Sequence, residues 1–134
     1  MKICGTFLAI VLTAYGAVTL SAHHSLTATY DIGSLVSLSG VITRVDVMNP
    51  HLRVELEAKD AGGRTTKWTI EMAPPHAFLR RNVDVQSLKV GQQVTIESWL
   101  RKDGKKEATG RTLVTAEGKR VDVGDSLGWM SVSK

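Results

Sequence analysis

Four histidines are the side chains best suited to chemistry in this chain of 134 residues: His23, His24, His51 and His76. Imidazole without thiolate company suits copper or nickel, and an N-terminal amine can join it. His23 and His24 follow the small residues Ser21 and Ala22, which end an apolar stretch. Cleavage after Ala22 would make His23 the first residue. Its amine and ring would then chelate one ion, with His24, His51 or His76 completing the shell. Cleavage after Ser21 would leave His24 third, so that the amine, two backbone amides and one imidazole wrap a square-planar ion. Two early histidines also bind such ions adventitiously in any exported chain, so the spacing defines a geometry rather than a function. His51 and His76 read equally as residues that cap turns.

A second constellation lies in "APPHAFLRR", residues 73–81. Pro75 suits the first position of a helix, and Arg80 and Arg81 suit its last turn, where the helix dipole favours cations. Phe78 and Leu79 are expected to close one end of the fold. Arg80 and Arg81 would then be available to Asp31, to a carboxylate ligand or to an acidic partner. There is no HExxH, no GxSxG around Ser25, Ser87 or Ser98, and no phosphate-binding glycine loop. Glu71 and Glu97 stand opposite the apolar faces of their strands, which places them in solvent. The expectation is a binding or accessory module for a small ligand or an exported protein, not an enzyme.

The elements that must position these groups begin after a leader. Residues 1–22 carry Lys2, an apolar run and the small pair Ser21-Ala22, the pattern of a cleaved secretory signal that leaves no membrane span. Cys4, the single cysteine, sits ahead of the apolar run, so the mature chain has no thiol for a disulfide, a nucleophile or a metal. The expected location is the periplasm or outside the cell. The remainder, about 112 residues, suits one small domain over residues 23–123 with a tail over residues 124–134. The formal charge of +4 drops by one when Lys2 is removed, too small an excess to demand a polyanionic partner.

Period-two alternation runs through that domain. "SLVSLSGVITRVDVM" sets Val41, Thr43, Val45 and Val47 on one face. "HLRVELEAKD" sets Leu52, Val54, Leu56 and Ala58 against Arg53, Glu55, Glu57 and Lys59. "DAGGRT" is a hairpin turn, and "TKWTIEM" returns with Trp68, Ile70 and Met72 together. "QQVTIESWL" groups Val94, Ile96, Ser98 and Leu100, which leaves Trp99 on the exposed face. "RKDGKKEATG" is a charged hairpin loop, "ATGRTLVTA" pairs back, and "EGKRVDVG" adds a turn and a last short strand. The expected fold is all-β: a small curled antiparallel barrel of the oligonucleotide-binding kind, with one short helix after the third strand. Gly40 and Gly110 are placed to let its strands bend. Such barrels can stack bases on exposed aromatics, but export argues against a nucleic-acid partner.

"AHHSLTATYD", "VSLSGVITRVDVMNPH", "WTIEMAPPHAFLRR", "SLKVGQQVTIE" and "RKDGKKEATGRTLVTAEGKRV" together resemble a family of small exported bacterial proteins catalogued as domain of unknown function 6152. The most specific elements are His23-His24-Ser25, Tyr30-Asp31, Asn49-Pro50-His51 and Leu79-Arg80-Arg81; Leu26 stands where the family pattern has phenylalanine. The resemblance implies export and a barrel-like domain, and it implies no reaction.

Overall fold

A computed structural model describes residues 26–48, 50–60 and 62–125. The strands are β1 (Tyr30–Val47), β2 (Leu52–Lys59), β3 (Thr65–Glu71), β4 (Gln93–Arg101), β5 (Glu107–Thr115) and β6 (Arg120–Asp122). Helix α1 (Pro75–Arg80) and a 3-10 turn (Val85–Ser87) lie between β3 and β4.

The sheet order is β3-β2-β1-β4-β5-β6, and an additional β3–β5 pairing closes it into a ring of hydrogen-bonded strands. Every pairing is antiparallel except this closing seam, where Thr69, Ile70 and Glu71 run parallel to Glu107, Ala108 and Thr109. Two features make closure possible. β1 is 18 residues long. Its middle pairs with β4 and its end with β2, and Gly40 and Val41 serve both neighbours. The second edge of β5 is shared as well, its first residues facing β3 and Thr112 to Val114 facing β6. Gly40 is required where β1 changes partner, because a Cβ there would overlap the Glu57 carbonyl and the Ala58 backbone of β2.

The apolar phases of β2, β3 and β4 point inward as their alternation requires: Leu52, Val54, Leu56, Ile70 and Ile96 are fully buried. β1 departs from its expected phase. Leu38 and Ile42 are its core residues and Val41 faces outward. Val45 packs against the core, whereas Val47, paired with Leu52, is exposed at the strand end. A register shift between Ile42 and Arg44 resets the alternation, and one extra residue in a strand moves every later side chain to the other face. Trp99 also departs. It is 6 % exposed although it neighbours inward-facing Ser98, so β4 is covered on both faces at this point.

α1 begins with Pro74 as extended N-cap and Pro75 in the first turn, and it buries Ala77 and Phe78. Its end is a Schellman motif. Val83 N–H donates to the Phe78 carbonyl and Asn82 N–H to that of Leu79, with Asn82 in the left-handed region at φ 52°. Phe78 is wholly buried and closes this end of the ring, as expected; Leu79, 72 % exposed, does not help it. Ala77 and Phe78 form the buried face of α1, and Leu79 lies about 100° further round the helix, off that face. Among the described residues, no helix is long and apolar enough to cross a membrane.

Candidate functional site

The outward-facing phases of β2, β3 and β5 meet at the parallel seam. Arg53, Thr69, Glu71 and Glu107 line a pocket of about 90 Å3 there together with Ala108 and Tyr30, the first residue of β1. Glu71 lies 3.5 Å from the Arg53 guanidinium and 3.0 Å from His51 Nδ1. Glu107 accepts from Arg101 Nη1 at 3.1 Å. Asp103 takes the rest of that guanidinium, Nε at 3.0 Å and Nη2 at 2.6 Å. This bidentate contact holds the Asp103 carboxyl at about 2 and the Arg101 guanidinium more firmly protonated than usual.

Tyr30 is partly buried, and burial is the main cause that raises its phenol above the ordinary value. The Glu71 and Glu107 charges add to the rise; Arg101 and Arg53 oppose it. The hydroxyl is therefore a neutral hydrogen-bond donor at physiological pH, not a nucleophile or a base. The pocket wall carries two carboxylates, one guanidinium and two hydroxyl groups, and the Arg101 guanidinium on Glu107 balances the second carboxylate.

A second cavity, about 170 Å3, lies on the flank of the closed end, between the segment after α1 and the β5–β6 hairpin. Its walls are largely apolar, and neither Arg80 nor Arg81 lines it.

A family model described as "Family of unknown function (DUF6152)" matches residues 10–111. The chain belongs to this family. The matched span covers all six residues that line the seam pocket, and membership by itself assigns no reaction. No curated protein and no solved structure matches the chain.

Two of the four histidines singled out for metal binding, His51 and His76, fall among the described residues. His23 and His24 lie outside the described residues. His51, just ahead of β2, turns both ring nitrogens toward carboxylates, Nδ1 to Glu71 and Nε2 to Asp125 at 3.9 Å. His76 is exposed on α1. Among the described residues, no group of three or more His, Cys, Asp or Glu side chains is arranged to hold a metal ion. For Asp31, Arg80 and Arg81, the structure places Asp31 exposed at the start of β1 and Arg80 exposed in the last turn of α1. Arg81 turns to β6, donating to the Asp122 carbonyl at 3.2 Å with that residue's carboxylate at 3.8 Å. Its acidic partner is thus Asp122.

Among the described residues, the aromatic side chains offer little stacking surface. Phe78, Trp68 and Trp99 are buried, and Lys106 Nζ sits 5.0 Å from the Trp68 ring centroid. Glu97, expected in solvent, pairs with Arg120 at 3.0 Å, which holds its carboxyl below the usual range.

Sequence reasoning passed over Tyr30, Arg53, Thr69 and Glu107 as site residues. Tyr30 was visible only in the Tyr30-Asp31 pair and Glu107 only in a charged hairpin. Arg53 and Thr69 belonged to the polar phase of an alternating strand, a property shared by every solvated position nearby. What distinguishes them is that β3 and β5 are neighbours.

Proposed function

We propose that the protein is an exported, non-catalytic binding module whose seam pocket takes a small amine-bearing ligand. Export to the periplasm or beyond is supported by the leader-like residues 1–22. The ring circuit β1-β2-β3-β5-β4, with a short helix after the third strand, supports reading it as a barrel of the oligonucleotide-binding kind. That fold is compatible with many ligands, so the function rests on the site.

One observation carries the reading. Glu71 and Glu107, from strands far apart in sequence, face a single pocket that also holds the Tyr30 hydroxyl and the Arg53 guanidinium. An ammonium group placed between the carboxylates finds charged acceptors, while Arg53 offers a donor fork to an acidic end of the same ligand. The volume, about 90 Å3, admits a group of roughly three water-sized units. Tyr30 donates a hydrogen bond and orients the ligand. Nothing in the pocket pairs a nucleophile with a base, which is why binding without turnover is the reading.

The test is an NMR titration of the full chain with methylamine, glycine and acetate. The two amines should give saturable shifts at Tyr30, weakened about tenfold in Glu71→Gln and in Glu107→Gln, each substitution removing one charge-assisted contact. Acetate shifting Tyr30 as strongly as glycine, or amine binding indifferent to both substitutions, would overturn the proposal.

A further inference from the structure

The flank cavity differs from the seam in shape and in chemistry. Its apolar wall is Phe78, Val83, Leu88, Leu113, Val121 and Val123. Most polar groups around it are already engaged. Asp84 Oδ1 accepts from Gln86 N–H at 2.9 Å, Ser87 Oγ donates to the Asp84 carbonyl at 2.6 Å, and Gln92 Oε1 accepts from Lys89 N–H at 3.3 Å.

Two groups at one pole are different. Thr115 and Lys119 both line the cavity and stand side by side across the β5–β6 turn, where Thr115 N–H donates to the Lys119 carbonyl at 3.0 Å. The Thr115 hydroxyl is buried and has no partner in hydrogen-bonding geometry. Glu117 is the acceptor this hydroxyl faces, and the contact draws the Glu117 carboxyl below its ordinary range. Lys119 forms no ion pair among the described residues. The Lys119 ammonium is therefore the charged donor that this pole offers to an acceptor.

Size narrows the ligand. An apolar cavity of about 150 Å3 admits benzene, and this one measures about 170 Å3. We infer that the flank cavity is a second binding site, independent of the seam, for a small carboxylate carrying one ring or a branched chain of similar bulk. The apolar body lies against Phe78, Val83 and Leu113. The carboxylate meets the Lys119 ammonium.

Benzoate is the direct probe, with benzyl alcohol as the ring without the charge and acetate as the charge without the ring. Isothermal titration of the full chain should show one saturable benzoate site and weak or no acetate binding. Val83→Phe fills the cavity from its loop side and should weaken benzoate about tenfold or more; circular dichroism verifies that the variant is folded. Lys119→Gln alters an exposed turn residue that carries no part of the core. It should weaken benzoate about fivefold to tenfold and leave benzyl alcohol unchanged. Glu107→Gln, at the seam, should leave benzoate binding intact, which keeps a failure here distinct from a failure of the amine site. The inference is overturned if benzoate does not saturate, if it binds folded Val83→Phe as tightly as the parent, or if Lys119→Gln affects neither ligand or both alike.

Discussion

The seam pocket and the flank cavity lie on the same ring and arise from opposite imperfections in it. At the seam two strands run parallel, and closure gathers outward-facing charges from β2, β3 and β5 beside the first residue of β1. At the flank a six-residue helix supplies one large side chain, Phe78, and the space it leaves is walled by the following loop and the β5–β6 hairpin. The first region holds charges of both signs at short range. The second keeps its polar groups at one pole of an apolar chamber. Closing a small sheet thus creates two kinds of recess, electrostatic where strands meet and hydrophobic where a short helix covers an end.

Phe78→Ala should separate the two regions most sharply. Removing a wholly buried aromatic ring destabilises by about 3–5 kcal/mol, read as a lower urea midpoint. If the regions are independent, glycine binding at the seam of the folded variant should change by less than about twofold. A collapse of seam binding in the folded protein would mean that the helix end and the seam form one unit.

Alkaline titration tests the seam with a smaller effect. The Tyr30 phenol is raised above 10.0 in the folded chain, so its contribution is complete below that value and is lost as the pH rises through the folded one. Unfolding midpoints of the parent should therefore decline at alkaline pH, and Tyr30→Phe should remove that part of the decline. An unchanged alkaline profile in Tyr30→Phe would place the phenol in solvent and weaken its role as the pocket's donor.

Asp103 gives the smallest signal. Its carboxyl is lowered from 3.8 to about 2, so its favourable contribution is present above the unfolded value and disappears as the pH falls through the folded one. Asp103→Asn should flatten stability across that acid window. It should also release Arg101 toward Glu107 and slightly weaken amine binding at the seam, while benzoate binding at the flank stays constant.

Much of the fold was legible locally. The alternation of Leu52 to Ala58, the turns at Asp60 and Asp103, and the proline-started helix after the third strand all depend on neighbours within a few residues. Trp99 and the phase of β1 were misread for a common reason. Alternation identifies two faces without saying which is covered, and a shift of one residue at Ile42 to Arg44 exchanges them. Asn82 went unnoticed as the residue that ends α1, although asparagine is second only to glycine in tolerating the left-handed region there.

By itself, the sequence determined which side chains were available. It supplied a single thiol, Cys4, polar phases carrying Arg53, Glu71 and Glu107, and one aromatic residue, Phe78, in the short helix α1. Tertiary structure decided which of them meet. Strand phase is a local consequence of backbone pleating, whereas closure depends on where β1 is bulged and bent and on how β5 divides its edge between β3 and β6. Those choices bring Glu71 and Glu107 to one pocket, give His51 to two carboxylates and Arg81 to Asp122, and set Thr115 beside Lys119 at the end of an apolar chamber.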